Sequence, residues 1–402
     1  MVTITEQEVL DQPVEELLKN HPPASTPPVD FLGAQYDAGL AWLHFPEGWG
    51  GLSLSIDLQE GLDARLAAAG APPSGRVTNP IGAGQIAMTL LTYGSEDQKR
   101  RYLRAIFTGE QYWCQLFSEP GSGSDLASLS TRAVRDGEEW VVNGQKVWTS
   151  GAHQAQYAIL LARTDPDVEK HAGLTQFVVD MRAPGVEVRP LRQMSGGAEF
   201  NEVFLTDVHI PDSERLGDVG AGWSVSNTTL MAERYNMPRT PERGSGPIGI
   251  AVGIWQDRKD KSSAHARALR AELLRHWVNA EVLRLLQARA AALRAAGSAG
   301  AEGSLGKLAV SVASRDLSAF TLDLLGMQGS LLDGYDNVSS EFGRRSLEGP
   351  YAAQRGFVGS PGMAIAGGTD NIQRNIIGER VLGLPREPAP DRGIPWSETL
   401  RN

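Results

Sequence analysis

The sequence predicts an α+β protein in three consecutive parts: helical over residues 1–112, β over 113–222 and helical again over 223–402. Three observations carry that order. The first part contains "GSEDQKRRYLRAIFTGE", in which Ser95 caps a segment with acidic residues in its first turn and basic ones after it. The middle part switches to period two, with strand-forming runs at "EEWVVNGQKVWTS", "YAILLART", "LTQFVVDM", "VEVRPL" and "EVFLTDVHI". The last part contains "HARALRAELLRHWVNAEVLRLLQARAAALRAA", the longest stretch of helical period in the chain.

Within the first part, Pro/Gly-rich turns such as "HPPASTPP" and "PEGWGGLSLS" separate the helices. In the β part, Asn143-Gly144 lies between two β-rich runs and predicts a hairpin turn. "AAGSAGAEGS" (295–304) reads as a short flexible connector. Further on, "IAGGTDNIQRNIIGERVLGLPR" joins a glycine hinge to a helix capped at Thr369-Asp370-Asn371. Its apolar positions are Ile372, Ile376, Ile377, Val381 and Leu382, and Gly383 and Pro385 are its stop signals. A helix start of this kind points backbone N–H groups at a polar or negatively charged group.

Composition narrows the function. A chain of 402 residues has room for two or three domains with their own cores. The 48 acidic against 38 basic residues leave a net charge of −10, with no basic tract, which argues against nucleic acid or an anionic membrane as partner. Any anionic ligand is then left to local backbone donors or single arginines. Cys114 is the only cysteine, so no internal disulfide forms. The opening "MVTITEQEVL" shows no charged leader followed by an apolar core. No apolar run approaches the roughly 20 residues of a membrane span, and the seven scattered histidines have no metal-ligand spacing. The expectation is a soluble, cytoplasmic protein with no membrane span and no metal site.

The most informative stretch is "WCQLFSEPGSGSDLASL", Trp113 to Leu129. Gly121 and Gly123 permit a close backbone approach, and Ser118, Ser122 and Ser124 add hydroxyls. A Gly/Ser loop by itself is as readily a plain connection as a ligand site. Its company is Trp148-Thr149-Ser150, an indole beside two small hydroxyl residues, which suits either one wall of a flat aromatic cofactor site or the edge of a small barrel.

"FSEPGSGSD", "NGQKVWTSG", "MAERYNM" and "GGTDNIQRNIIGERVLGLPRE", with "GSEDQKRRYL" before them, occur in the order and at roughly the spacing of the acyl-CoA dehydrogenase family, which the chain resembles from about residue 45 to 386. The resemblance implies an N-terminal α-helical domain, a small central β-barrel and a C-terminal four-helix bundle. It also implies bound FAD and an acyl-CoA substrate, with an electron-transferring flavoprotein as electron acceptor. Carried over by position, Gln115, Phe117, Ser118, Gly123, Ser124, Trp148, Thr149, Ser150, Thr369 and Asn371 are the FAD contacts. Trp148 lies against the flavin, and Ser150 stands where the family has a threonine bonded to the reactive edge of the ring. Ser124, Arg234, Gly367 and Gly368 are the substrate contacts.

The implied reaction removes an α-proton beside the thioester while the β-hydride passes to the flavin, so it needs a base. A carboxylate screened from water suits the task because desolvation raises its pKa toward the working pH. Most of the family carries a glutamate just before the "GT" of the last motif. Gly367 occupies that position here. A minority of the family places the base on the first helix of the C-terminal domain, where this chain has Glu233-Arg234. Glu233 is the candidate base and Arg234 its neighbour for orienting substrate or glutamate; the bland alternative is a Glu-Arg pair on a solvated helix face.

Three departures from the family pattern matter. After the catalytic helix, the Arg-x-x-Phe-Gly motif that reaches a neighbouring subunit's FAD is reduced to Arg258 in "IWQDRKDKSSAHARAL". The family's glutamine and paired glycines are replaced by "LDLLGMQGS". Half of a flavin site is thereby missing, which predicts pairing with a related subunit, as in a heterotetramer, in place of a self-sufficient homo-oligomer. Finally, Pro238, Pro241 and Pro247 with Gly244 and Gly246 interrupt the helix that carries Glu233. The break either admits a bulky, sterol-derived acyl group or is a surface insertion. The leading reading is an FAD-dependent acyl-CoA dehydrogenase. The alternatives are a non-catalytic subunit completing a partner's site and an oxidase reoxidised by oxygen.

Overall fold

The computed structural model describes residues 6–235, 242–295, 302–332 and 351–399. Pro238, Pro241 and the middle of the 295–304 connector lie outside that set. The described chain packs as two compact units.

The first unit begins with α1 (Glu6–Asn20), α2 (Pro28–Asp37), α3 (Gln59–Ala68), α4 (Gly75–Thr78), α5 (Ala87–Tyr93) and α6 (Glu96–Thr108). The predicted cap of α6 is a reciprocal box: Ser95 Oγ accepts from Gln98 N at 3.2 Å and Gln98 Oε1 accepts from Ser95 N at 2.8 Å. Gly109 ends the helix at φ +79°. Phe31, Trp42, Phe45, Leu90, Tyr102 and Phe107 form the shared core of these helices.

Strands β1 (Trp113–Leu116), β2 (Arg132–Asp136), β3 (Glu139–Ser150), β4 (Tyr157–Arg163), β5 (Leu174–Asp180), β6 (Val186–Leu191), β7 (Phe200–Pro211) and β8 (Arg215–Leu216) follow. They pair in the order β6-β7-β3-β2-β4-β5-β8, with β1 parallel on β4. Every residue of β4 from Ala158 to Arg163 is buried because the strand is covered on both sides. Ala158, Leu160 and Ala162 face a core inside the sheet, whereas Ile159 and Leu161 join the helical core. The inner core also collects Phe177 and Val179 of β5 and Val203 and Leu205 of β7, strands that are not neighbours in the pairing order. The sheet therefore curls around one interior, the barrel-like arrangement that the resemblance implies. Helix α7 (Gly222–Tyr235) packs on β5 and α5, with Ser226 Oγ donating to Gln176 Oε1 at 3.0 Å and the Thr89 and Thr229 hydroxyls 2.8 Å apart.

Asn143-Gly144 is not a hairpin turn, contrary to the sequence expectation: β3 runs straight through it. The turn sits seven residues earlier, at Asp136-Gly137, where Gly137 has φ +61° and β2 pairs antiparallel with β3. Asn143 instead exchanges two 2.9 Å hydrogen bonds with Asp207 across β7, at a bulge where Asp207 has φ +48°. Gly144 serves close approach: a Cβ there would lie 2.7 Å from Thr131 Cβ and 2.8 Å from its Cα. Gly144→Ala is expected to lower stability by about 1–3 kcal/mol, read as a shift in denaturant midpoint. An unchanged midpoint would mean that Thr131 moves aside without cost.

The second unit holds α8 (Pro247–Asp257), α9 (Ala264–Ala295), α10 (Glu302–Leu325), α11 (Ala352–Gly359) and α12 (Asp370–Ile376). Ile248, Ala251, Leu269, Leu273, Leu317, Phe320 and Leu324 tie α8, α9 and α10 together, and α11 and α12 pack on α10. α9 realises the long periodic stretch, but Leu274, Val278, Val282 and Leu285 remain exposed along it at helical spacing. Pro247 is the first residue of α8, and Gly246 at φ +73° precedes it. No helix therefore passes through Glu242–Gly246, as the glycines and Pro247 predict. No described helix is long and apolar enough to cross a membrane.

Candidate functional site

In the first unit the structure brings two of the singled-out segments together. Ser118 O accepts from Val147 N at 2.9 Å, and Phe117 O accepts from Lys146 Nζ at 3.0 Å, so the "FSEPGSGSD" segment docks against the end of β3. Glu119 and Ser122 exchange backbone hydrogen bonds of 2.9 and 3.1 Å, closing Glu119–Ser122 into a tight turn. Gly123 and Ser124 follow, both exposed, and a Cβ at Gly123 would meet nothing within 4 Å. The glycine's own packing therefore leaves open space beside it. Phe117 faces the helical core and is buried, and Gln115 on β1 is half-buried opposite Ile159.

Trp148 owes its position to a break in strand phase. Trp140, Val142 and Lys146 point inward with period two, which would send Trp148 inward as well. Between Lys146 and Thr149 the pairing with β7 slips: Lys146 stands opposite Val203 and Thr149 opposite Asn201. Two residues of β3 thus face one of β7, a bulge. Trp148 sits at φ +61°, a left-handed conformation unusual for a bulky residue, and its indole is 61% exposed. Phe200 supports it edge-on with ring centroids 6.0 Å apart. The same slip turns Thr149 inward, where its hydroxyl oxygen is buried with no hydrogen-bond partner among the described residues, while its carbonyl accepts from Asn201 Nδ2 at 2.9 Å. Ser150 is half-buried beside Gly151, whose φ is +66°.

The sequence reading missed a buried ion pair beneath this wall. Lys146 is fully buried, and its Nζ lies 2.9 Å from Glu119 Oε1. Glu119 also accepts from Ser130 N at 2.7 Å and Thr131 N at 2.8 Å. Burial pulls the lysine below its ordinary value against the opposing pull of Glu119. Burial alone would raise the Glu119 carboxyl, but Lys146, Thr131 and Ser130 hold it below the usual carboxylate range, so it stays ionised at neutral pH. The available signal was a lysine at an inward position of a period-two strand.

Glu233 and Arg234 fall in the last turn of α7; their side chains lie outside the described residues. In the second unit, the "GGTDN" turn forms as its residues predict. Gly367 and Gly368 take φ of +65° and +87°, and Thr369 Oγ1 accepts from Ile372 N at 3.2 Å as the cap of α12. Gln373 Nε2 donates to Gly367 O at 3.1 Å, and Asn371 Oδ1 accepts from Arg374 at 3.0 Å. Asp370, which the sequence marks only as part of the helix cap, is buried against α10 with Lys307 Nζ at 3.3 Å and Arg315 Nη2 at 3.1 Å. Burial raises its carboxyl, but the Lys307 and Arg315 charges bring it below the usual range. Arg258 is occupied locally, donating to Leu324 O at 3.2 Å and Asp260 O at 3.1 Å.

Family models for the acyl-CoA dehydrogenase N-terminal, middle and C-terminal domains match residues 5–110, 114–208 and 220–382. The chain belongs to the acyl-CoA dehydrogenase family. Acyl-CoA dehydrogenase IpdE1 of Mycobacterium tuberculosis is 36% identical over 87% of this chain and 86% of its own length. Acyl-CoA dehydrogenase FadE34 of the same organism is 39% identical over 87% of this chain, which spans only 45% of that relative. Among solved structures, the steroid ACAD Tcur3481-Tcur3483 shares 25% identity and a TM-score of 0.71 over 95% of this chain and 98% of its own. The ChsE4-ChsE5 complex of Mycobacterium tuberculosis shares 27% identity and a TM-score of 0.67 over 96% and 100%. Family membership makes the chain's class that of an oxidoreductase acting on acyl-CoA thioesters and accounts for the three-part α+β order.

Proposed function

We propose that this chain carries out FAD-dependent α,β-dehydrogenation of an acyl-CoA thioester with a wide, ring-containing acyl group. The observation that carries the reading is the bulged end of β3, which sets an exposed indole beside Ser150 and the Ser118 loop in a member of this family. The residues fit a flat, polar-edged cofactor: an aromatic face, a half-buried hydroxyl at Ser150, an unpartnered buried hydroxyl at Thr149 and open space at Gly123. Gln115, Phe117, Ser118 and Ser124 hold the cofactor in the first unit, and Thr369 and Asn371 are further cofactor contacts that the family resemblance implies. FAD when bound supplies the two-electron acceptor that the reaction requires. Glu233 takes the α-proton, with Arg234 beside it, and Gly367 and Gly368 leave room for substrate. An electron-transferring flavoprotein is the acceptor that this reading assigns.

The wide acyl group rests on the interruption before α8 and on the likeness to a solved steroid ACAD. A CoA thioester of a steroid-derived acid is expected to be oxidised with a kcat/KM at least about tenfold above that of a straight-chain acyl-CoA, a factor within reach of pocket fit. Dye-linked turnover of both substrates measures it. Preference for the straight chain would overturn the substrate assignment while leaving the dehydrogenase reading standing.

Partnership with a related subunit is the further part of this reading. It is supported by the solved heteromeric complexes this chain is similar to, by the local engagement of Arg258, and by the uncovered apolar stripe on α9. The three domains, with boundaries at 112 and 222, then divide the work into helical cover, flavin wall and bundle.

A further inference from the structure

The Lys146–Glu119 pair has no part in the chemistry proposed above, yet it sits directly beneath the bulge. Stability is a weak reason to bury a lysine, because the desolvation cost of the two charges about cancels their attraction and apolar replacements are often no worse. What the pair does supply is geometry. Its polar atoms fasten three separate segments: Phe117 through its carbonyl, Ser130-Thr131 through their N–H groups, and β3 through Lys146 itself. The next residue along β3, Val147, donates to Ser118 O, and the residue after it is the outward Trp148. An apolar side chain at residue 146 would fill space but fix none of these segments relative to another.

We propose that Lys146 and Glu119 are positioning residues that hold the Phe117–Ser122 loop against the β3 bulge and so keep Trp148 and Ser118 in register to receive the flavin. The inference rests on the FAD reading above and adds two residues that neither touch the cofactor nor take part in the reaction. Lysine is needed because one ammonium donates to a carbonyl and a carboxylate at once. Glutamate is needed because its two oxygens receive the lysine and two backbone N–H groups.

The test uses the full chain, purified with whatever subunit accompanies it, and three variants: Lys146→Met, Glu119→Gln and Val179→Ala. Val179 lies in the barrel core on β5, opposite Ala158, so its truncation loosens the same domain without touching the cluster. Lys146→Met is expected to weaken FAD binding by about 10- to 100-fold, the usual size when a group that orients a binding residue is lost. It should also speed amide exchange over residues 118–131 and 146–150. Glu119→Gln keeps one acceptor oxygen and turns the other into an amide donor, and is expected to fall between Lys146→Met and the parent. Val179→Ala should lower thermal stability and leave FAD affinity unchanged. If Lys146→Met binds FAD as tightly as Val179→Ala, the inference is overturned; if Lys146→Met does not fold, Glu119→Gln decides by the same two readouts. A parent that binds no FAD in any assembly would remove the cofactor reading and this inference with it, an outcome plainly different from a parent that binds and a variant that binds equally.

Discussion

Glu233→Gln is expected to lower turnover by about 10²- to 10⁴-fold, the range a general base contributes, while FAD content stays at the parent level. Gly367 stands where most of the family has its glutamate, and its backbone carbonyl is already engaged by Gln373. The carboxylate three residues on, Asp370, is committed to Lys307 and Arg315, which hold it in the ionised form at a depressed pKa. A carboxylate stabilised in that way is a weak base. On the proposed reading, proton abstraction falls to the α7 glutamate, which belongs to the same compact unit as Trp148 and the Ser118 loop. Turnover retained in the assembled Gln variant would place the base elsewhere.

The second large effect is in cofactor occupancy. Purified alone, the chain is expected to carry little flavin; co-purified with a related subunit, it should carry stoichiometric flavin. Arg258, the remnant of the segment that relatives extend to a neighbouring FAD, is spent on Leu324 and Asp260 within its own bundle. The "GMQGS" turn after α10 presents Met327, 90% exposed, in place of the family's glutamine and glycines. On the proposed reading, both features leave the flavin-ring half of a site without the half a neighbour gives back. The uncovered stripe on α9 supplies apolar surface for such a neighbour. Absorbance at the flavin band against protein concentration measures the ratio. A flavin-replete chain on its own, bleached by substrate, would show that one sequence supplies a complete site and would sink the divided one.

Much of the fold was legible because its signals are local. The box at Ser95 and Gln98, the glycine hinge and cap at Gly367–Thr369, and Pro247 at the first turn of α8 each depend on residues within a few positions of one another. The hairpin was misplaced for a related reason. Asn-Gly and Asp-Gly are equally good turn formers, and the choice between Asn143-Gly144 and Asp136-Gly137 was made by Asp207 and Thr131, which the local pattern does not contain. The site was half legible. Its motifs marked which segments matter, but the ion pair joining residues 119 and 146 and the register slip against β7 are long-range facts. Asp370 was read as a capping-turn residue, and its cations lie some sixty positions earlier on α10.

The bulge in β3 has a consequence for how this wall can change. A substitution at Val147 or Thr149 alters what the strand is made of but leaves its count of residues against β7 intact. Removing a single residue between Lys146 and Thr149 would cancel the slip and restore strict alternation, and the bulge that holds Trp148 at φ +61° would be lost. The strand's chemistry is therefore written in arithmetic as well as in side chains. Over evolutionary drift this short span should tolerate exchanges of residue type far better than any change in its length.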